Sequence, residues 1–368
     1  MSAAGSEGTR LWSSRTFREI QRPTEITARG ETTALLCVRR VDEPVDVIYS
    51  GTSEGYFFCW RQRDNQWEEI VFRHISNNKE KGDITAFAWD DSSNRLALCT
   101  TTGKVQVWGA VRHDSGQVYL NKVFSRRVSN LDASGVLFDM ASHLRDKDVF
   151  VFGFNHTGPI LRLAGKTGET VPGGDLSLGT PIGGIQADAK KGLVLLDNSL
   201  AGPSFWRFHD QAVIKTYSIA RTRNHYRPKN VRLADAGTTV VAGGDHGDLY
   251  VFDTHSGARL EKLSIGTEEF VQVVITAEVE DVPTIFASPS REGDRFEVMV
   301  WKRLAPKPKA APSRFWERVW SNLLRILILC CCVGFLVQNL QQVVGIVKAK
   351  RAVDPKDLVE VVVGPQLE

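Results

Sequence analysis

Short runs of alternating apolar and polar residues, separated by small-residue turns, fill residues 15–304 of this 368-residue chain. In residues 50–60, SGTSEGYFFCW, a turn containing Gly55 leads into an alternating strand that ends on Trp60. Residues 241–253, VAGGDHGDLYVFD, repeat this pattern with a phenylalanine and an aspartate at the end. Alternation with a period of two is typical of β-strands that have one buried face. The pattern therefore predicts an all-β protein.

The same pattern of a turn followed by an alternating strand occurs six times, which indicates an internal repeat. Each copy ends on an apolar anchor residue, and successive anchors are 43 to 55 residues apart. A glycine marks the turn before five of the strands, because a tight hairpin needs a positive φ angle that glycine adopts without steric cost. The predicted blade anchors are Trp60, Trp108, Leu163, Trp206, Phe252 and Trp301, and the turn glycines are Gly55, Gly103, Gly158, Gly202 and Gly247.

Each repeat has room for four strands of about five or six residues. Around Trp108, for example, the strand-like stretches are DITAFAW and NRLALCT before it and VYLNKVF after it. A period in the forties with four strands per unit is the spacing of a β-propeller blade. The sequence therefore predicts a β-propeller of six four-stranded blades, with seven blades as the alternative.

In these features the chain resembles the WD-repeat family. The resemblance rests on the glycine turn, the alternating strand and the terminal tryptophan, and the family's following aspartate is present once, as Asp253. The Gly-His dipeptide that opens each repeat in that family is absent from the expected positions. The resemblance implies a divergent WD-like propeller over residues 15–304.

Closure of the ring is expected to involve the N-terminus, because an open ring leaves an exposed strand edge. The last repeat stops after its third strand, at Trp301. Residues 15–21, RTFREIQ, alternate and are otherwise unassigned, so we expect them to supply the missing outer strand. Residues 1–14 are then expected to be a flexible N-terminus.

A hydrophobic segment follows the propeller. Its uninterrupted apolar core is short, which on length alone favours a helix buried in a soluble protein. Extended over residues 319–340, however, it has 22 residues, which is about 33 Å of helix and enough to cross a bilayer. Aromatic residues precede it, as at membrane–water boundaries. We therefore expect a Pro/Lys linker at 305–314, a hydrophobic helix at 315–347 that spans the membrane at 319–340, and a short tail at 348–368; an interfacial or oligomerising helix is the alternative.

The flanking charges predict the orientation of this helix. Six basic residues lie close before the span and three lie after it: Lys302, Arg303, Lys307, Lys309, Arg314 and Arg318, then Lys348, Lys350 and Arg351. The positive-inside rule then keeps the propeller in the cytosol. No secretory signal peptide is visible, so we expect a tail-anchored protein of the endoplasmic reticulum or another endomembrane.

The cysteines agree with a reducing compartment. Cys37, Cys59 and Cys99 sit singly in apolar runs and are expected to be buried free thiols, without disulfide or zinc-site spacing. Cys330, Cys331 and Cys332 lie in the middle of the predicted span, where acylation is an alternative to simple apolar packing.

Composition and motifs give no sign of catalysis. The formal charge of +3 is too small to argue for nucleic-acid binding. The hydrolase, protease and nucleotide-binding motifs are absent, and His156 and His246 fall in predicted blade turns. We expect no catalytic, cofactor or metal site, no small-molecule substrate, and no enzymatic activity.

One loop is a candidate site for a partner or a lipid headgroup. Residues 220–230, ARTRNHYRPKN, place several basic side chains between two strands, where a propeller presents a face. The alternative is an ordinary solvated loop. The candidate residues are Arg221, Arg223, His225, Arg227 and Lys229.

Two functions fit this organisation. The first is a membrane-tethered scaffold that presents a cytosolic propeller to protein partners. The second follows from layout: a propeller with one late span is similar to the endoplasmic-reticulum exchange factor that starts vesicle-coat assembly, which implies nucleotide exchange on a small coat GTPase. That family has a glycine-rich loop with a lysine in its first blade that organises a potassium ion, whereas residues 39–51 here read RRVDEPVDVIYSG.

Overall fold

A computed structural model of the chain describes residues 2–5, 8–13, 16, 18–21, 29–39, 46–63, 66–76, 82–112, 118–141, 145–223, 226–266, 269–290 and 298–303. The contacts divide the chain into two units, Met1–Arg303 and Leu304–Glu368. The described residues all belong to the first unit. The predicted linker at 305–314, helix at 315–347, span at 319–340 and tail at 348–368 lie outside them. Within the described ranges, no helix has the length and apolar character needed to cross a bilayer.

Alternating residues form antiparallel strands throughout the described part of the chain. The N-terminal sheet contains three strands: β1 (Ser2–Gly5), β2 (Gly8–Trp12) and β3 (Glu19–Gln21). Six further sheets follow in chain order, one for each repeat predicted from the sequence.

The first three of these sheets have four strands each, in chain order from one edge to the other. Blade 1 contains β4 (Thr32–Arg39), β5 (Asp46–Thr52), β6 (Tyr56–Arg63) and β7 (Gln66–His74). Blade 2 contains β8 (Ile84–Asp90), β9 (Arg95–Thr100), β10 (Lys104–Arg112) and β11 (Val118–Arg127). Blade 3 contains β12 (Ala133–Phe138), β13 (Val149–Gly153), β14 (Pro159–Leu163) and β15 (Thr170–Ser177).

The last three sheets continue the series. Blade 4 contains β16 (Ile182–Asp188), β17 (Leu193–Asn198), β18 (Gly202–Arg207) and β19 (Ala212–Thr216). Blade 5 contains β20 (Val231–Ala234), a 3₁₀ turn (Asp235–Gly237), β21 (Thr239–Gly243), β22 (Asp248–Asp253) and β23 (Arg259–Ser264). Blade 6 has three strands within the described residues: β24 (Val271–Val279), β25 (Val282–Pro289) and β26 (Met299–Lys302).

The blades are arranged side by side around their first strands. Strand β4 contacts β8, β8 contacts β12, and the same relation continues through β16, β20 and β24. This is the architecture of a six-bladed β-propeller, in agreement with the period read from the sequence.

The anchor residues fill the seams between neighbouring blades. The ring of Trp108 lies 5.3 Å from that of Phe57 in blade 1, and the ring of Trp206 lies 6.2 Å from that of Phe152 in blade 3. Both tryptophans are buried, as are the other anchors Trp60, Leu163 and Phe252. Trp301 is partly buried against the apolar cluster between blades 5 and 6. Full burial of one such side chain stabilises the fold by about 1.5–3 kcal/mol, so each buried anchor contributes to the packing between neighbouring sheets.

The turn glycines have the backbone conformation that the hairpins require. All five have positive φ angles, from 55° at Gly158 to 102° at Gly202. A Cβ atom at position 158 would lie 1.8 Å from the carbonyl oxygen of Thr180. Glycine is therefore needed there for space as well as for conformation.

The N-terminus differs from the prediction. Glu19–Gln21, within the stretch expected to complete the last blade, pairs with β2 instead, and residues expected to be flexible form β1 and β2. The physical reason is that a short hairpin closes at a lower entropic cost than a strand pairing across the whole chain. The only partner of β26 within the described residues is β25.

The N-terminal sheet is held against blade 1. Leu11 packs in one cluster with Ile48, Phe58 and the anchor Trp60. The Thr9 hydroxyl lies 3.0 Å from that of Ser50. This sheet therefore covers the side of blade 1 that faces away from blade 2, where a preceding blade would pack.

The cysteines of the propeller only partly match the prediction. Cys59 and Cys99 are buried, and burial raises the pKa of each thiol to about 12. Cys37 is exposed, contrary to the expectation of a buried thiol. Its position in β4 alternates with that of the buried Val38, which takes the inward face of the strand.

Candidate interaction surface

The predicted basic loop joins blades 4 and 5 on one face of the propeller. It follows β19 and precedes β20, on the side that carries the glycine hairpin turns, which we call the glycine-turn face. The turn at Gly202 touches the start of the loop, since a Cβ atom there would lie 2.3 Å from the carbonyl oxygen of Tyr217. Within this loop His225 lies outside the described residues.

A buried carboxylate holds the first half of the loop. Asp245, in the hairpin turn of blade 5, accepts hydrogen bonds from the backbone amides of Thr222 at 2.9 Å and Arg223 at 2.8 Å. It also accepts one from the Thr222 hydroxyl at 3.1 Å. Asp245 itself is only 6% exposed. The loop backbone is therefore tied to the neighbouring blade.

The Asp245 carboxylate is strongly stabilised in its charged form. Burial alone would raise its pKa, but the hydrogen bonds from His246, Thr222 and Arg223 outweigh burial and hold the pKa well below its ordinary value. The Nδ1 atom of His246 lies 2.7 Å from Oδ1 of Asp245. The other ring nitrogen of His246 lies 2.6 Å from the Tyr250 hydroxyl.

A second carboxylate holds the end of the loop. Asp197, at the end of β17, is 1% exposed and accepts a hydrogen bond from the backbone amide of Lys229 at 3.1 Å. The Lys229 ammonium lies 3.5 Å from the same carboxylate. Burial raises the pKa of Asp197 in spite of this cation. Lys229 is therefore an internal partner of Asp197 and belongs to the support of the loop.

The three arginines of the loop lie against aromatic rings. The guanidinium carbon of Arg221 is 4.3 Å from the centre of the Tyr226 ring. The guanidinium carbons of Arg223 and Arg227 are 5.0 Å and 5.4 Å from the centre of one ring, that of Phe270, which precedes blade 6. These distances are typical of cation–π contacts. We call Arg221, Arg223 and Arg227 the arginine patch.

Hydrogen bonds further fix the arginine patch. Arg221 donates to the carbonyl oxygen of Arg223 at 2.9 Å. Arg227 donates to the hydroxyl of Ser290, which follows strand β25 of blade 6, at 2.9 Å. The loop between blades 4 and 5 thus reaches across to blade 6, and its cations are positioned before any ligand arrives.

Of the five residues predicted from the sequence, the structure therefore brings three arginines together and assigns Lys229 to internal support. Sequence reasoning missed Phe270, Asp197 and Asp245. The GGDHGD stretch that contains Asp245 indicated only a hairpin turn. The signal available in the sequence for the role of Asp245 was an acidic residue in the turn of the blade that follows the cationic loop.

A cavity lies on the opposite face. It has a volume of about 650 Å³ and is lined by residues of blades 4, 5 and 6, among them Trp301 and the 3₁₀ turn. Asp235 in its wall pairs with Arg303. Among the residues that the structure describes, no group of three or more histidine, cysteine, aspartate or glutamate side chains is placed to hold a metal ion.

Comparisons with known proteins show the fold. No protein-family model matches the chain, and no curated protein matches its sequence. Among solved structures, the crystal structure of Saccharomyces cerevisiae Sqt1 is similar with a TM-score of 0.57 and 11% sequence identity, covering 83% of this chain and 92% of that one. The crystal structure of the computationally designed Ika8 protein is similar with a TM-score of 0.52 and 15% identity, covering 82% of this chain and 80% of that one.

Proposed function

We propose that this chain is a divergent WD-like propeller that acts as a membrane-tethered scaffold and receives protein partners on its glycine-turn face. A rigid propeller is suited to protein–protein interaction because its loops are held by a stable ring of sheets. The observation that carries the choice of face is the arginine patch. Two buried carboxylates fix its loop, and its guanidinium groups lie against the ring of Tyr226 and the buried ring of Phe270.

Site-specific photo-crosslinking in cells tests this choice. Leu200, 40% exposed, lies in the blade 4 turn beside the loop, and Leu260, 45% exposed, lies on the outer strand of blade 5. A photoreactive phenylalanine analogue at position 200 should give discrete adducts with partner proteins, and the same analogue at position 260 should not. Equal adducts at both positions, or none at position 200, would count against docking on this face.

The tether is the second part of the proposal. Residues 319–340 have the length and apolar character to span a bilayer, and the basic residues before them favour a cytosolic propeller. Alkaline carbonate washing of membranes should leave the full chain in the pellet and release a variant that lacks residues 319–340. Release of the full chain would contradict a spanning anchor.

The exchange-factor alternative rests on the layout of the chain and stays a prediction. Its test is nucleotide release from a small coat GTPase. A scaffold leaves the release rate unchanged, whereas an exchange factor accelerates it.

A further inference from the structure

We infer that the arginine patch is a docking site for an acidic linear segment of a partner protein, with aspartate or glutamate side chains received by Arg221, Arg223 and Arg227. The inference rests on the proposed scaffold function and names the chemistry of the partner. It follows from the charge, the geometry and the exposure of the patch.

The charge of the patch matches an anionic ligand. The carboxylates that support the loop, Asp197 and Asp245, are buried and already accept hydrogen bonds from its backbone. Glu269 precedes Phe270 in the chain, so one negative charge accompanies the three positive charges of the guanidinium groups. The patch keeps a positive excess, which attracts and orients an acidic ligand.

The geometry favours carboxylates. Each guanidinium carbon lies 4.3 to 5.4 Å from the centre of an aromatic ring, and a planar guanidinium has five N–H donors, two of which a carboxylate can accept side by side. Arg223 and Arg227 share the ring of Phe270, so both cations are held within one short stretch of surface. Because the side chains are already ordered, less conformational entropy is lost on binding.

The exposure of the patch favours a narrow peptide over a flat bilayer. Arg221 is exposed, but Arg223 and Arg227 are half-buried beside the exposed Pro228. A single extended peptide can place its side chains beside half-buried arginines. A planar layer of lipid headgroups contacts mainly the side chains that project outward. The exposed Leu200 on the adjoining turn is placed to contact an apolar residue next to the acidic ones.

The test measures binding of synthetic peptides to the full chain in detergent. The probe is a panel of fluorescent peptides of about eight residues, roughly 27 Å when extended, with acidic residues at varied spacing and one leucine. A matched panel carries asparagine and glutamine in place of the acidic residues. We expect acidic peptides to bind, the neutral panel to fail, and affinity to fall as salt rises.

Variants then assign the binding to the patch. Each of Arg221→Gln, Arg223→Gln and Arg227→Gln should weaken binding about threefold or more, and the triple variant should abolish it. Arg→Lys at all three positions keeps the charge but loses the planar donors, and should also weaken binding. The matched control changes three exposed cations elsewhere, Arg126→Gln, Lys190→Gln and Arg207→Gln, and should bind as the unmodified chain does.

The opposing outcomes are distinct. Melting curves for all variants establish that they fold. Acidic peptides that bind the triple glutamine variant as well as the unmodified chain, or no binding by any acidic peptide, would overturn the inference. Patch-dependent binding to phosphatidylserine vesicles without binding to peptides would overturn it in favour of a lipid surface. If crosslinking from position 200 persists in any of these cases, the scaffold function stands and only the acidic partner is rejected.

Discussion

The carboxylate of Asp245 accepts a hydrogen bond from the backbone amide of Arg223 at 2.8 Å, so a buried anion of blade 5 positions the cationic loop that leaves blade 4. The same carboxylate binds His246 on its other side. This buried carboxylate therefore orders the backbone of the loop. The proposed docking site depends on this arrangement, in which a buried carboxylate holds the loop backbone and the arginine side chains provide the positive charge for a ligand.

Replacing this carboxylate should loosen the loop and destabilise the fold. Asp245→Asn keeps the size of the side chain but removes its charge, and should lower the free energy of unfolding by about 1–3 kcal/mol at pH 7. Because the folded pKa of Asp245 lies below its unfolded value, its contribution is complete above about pH 5 and is lost as pH falls below about 4.

Denaturant unfolding as a function of pH measures this effect. The difference between the unmodified chain and Asp245→Asn should be constant near neutrality and shrink in acid. The exposed Asp210→Asn is the control, with a change within about 0.5 kcal/mol. A difference that grew as pH fell would contradict the assigned direction.

Asp197 should show the opposite pH dependence. Burial raises its folded pKa above the unfolded value. Its contribution to stability is therefore complete below the unfolded pKa of about 4 and is lost as pH rises from there through the raised folded pKa. Relative to Asp197→Asn, the unmodified chain should be more stable near pH 4 than near pH 7. The same unfolding series checks this, and a parallel loss in acid for Asp197 and Asp245 would contradict it.

The N-terminal sheet should contribute to stability through one side chain. Leu11 is 9% exposed and packs on Trp60, whereas Ile20 in β3 is 58% exposed. Leu11→Ala should cost about 2–3 kcal/mol of unfolding free energy, and Ile20→Ala should cost less than about 0.5 kcal/mol. Equal small effects would show that this sheet does not pack on blade 1.

Two turn glycines should respond differently to alanine. Both Gly158 and Gly192 have positive φ angles, but an added Cβ at 158 meets the carbonyl oxygen of Thr180, while at 192 it meets nothing within 4 Å. Gly192→Ala should cost about 1 kcal/mol for conformation alone. Gly158→Ala should lower the free energy of unfolding clearly more than Gly192→Ala does, as measured by thermal melting. Similar losses for the two variants would contradict the steric argument.

The parts of the fold that could be predicted from the sequence are those encoded locally. A glycine such as Gly55 followed by alternation up to Trp60 identifies a hairpin whatever surrounds it, so the blades and their period followed directly. The pairing of Glu19–Gln21 did not, because an alternating stretch specifies a strand but not its neighbour.

The same limit applies to the candidate site. The basic side chains are adjacent in sequence and were visible. The ring of Phe270 and the carboxylate of Asp197 come from other segments and meet the loop only when blades 4, 5 and 6 stand side by side. Lys229 was grouped with the arginines because sequence shows its charge but not its buried partner.

Proximity labelling from the N-terminus of the full chain in cells tests the central claim most directly. The unmodified chain is compared with the triple Arg221→Gln, Arg223→Gln, Arg227→Gln variant and with the triple Arg126→Gln, Lys190→Gln, Arg207→Gln control. A docking role for the arginine patch predicts that a set of labelled proteins disappears with the first variant and is retained with the control, at equal abundance of the three chains. Identical sets of labelled neighbours for all three chains would contradict it.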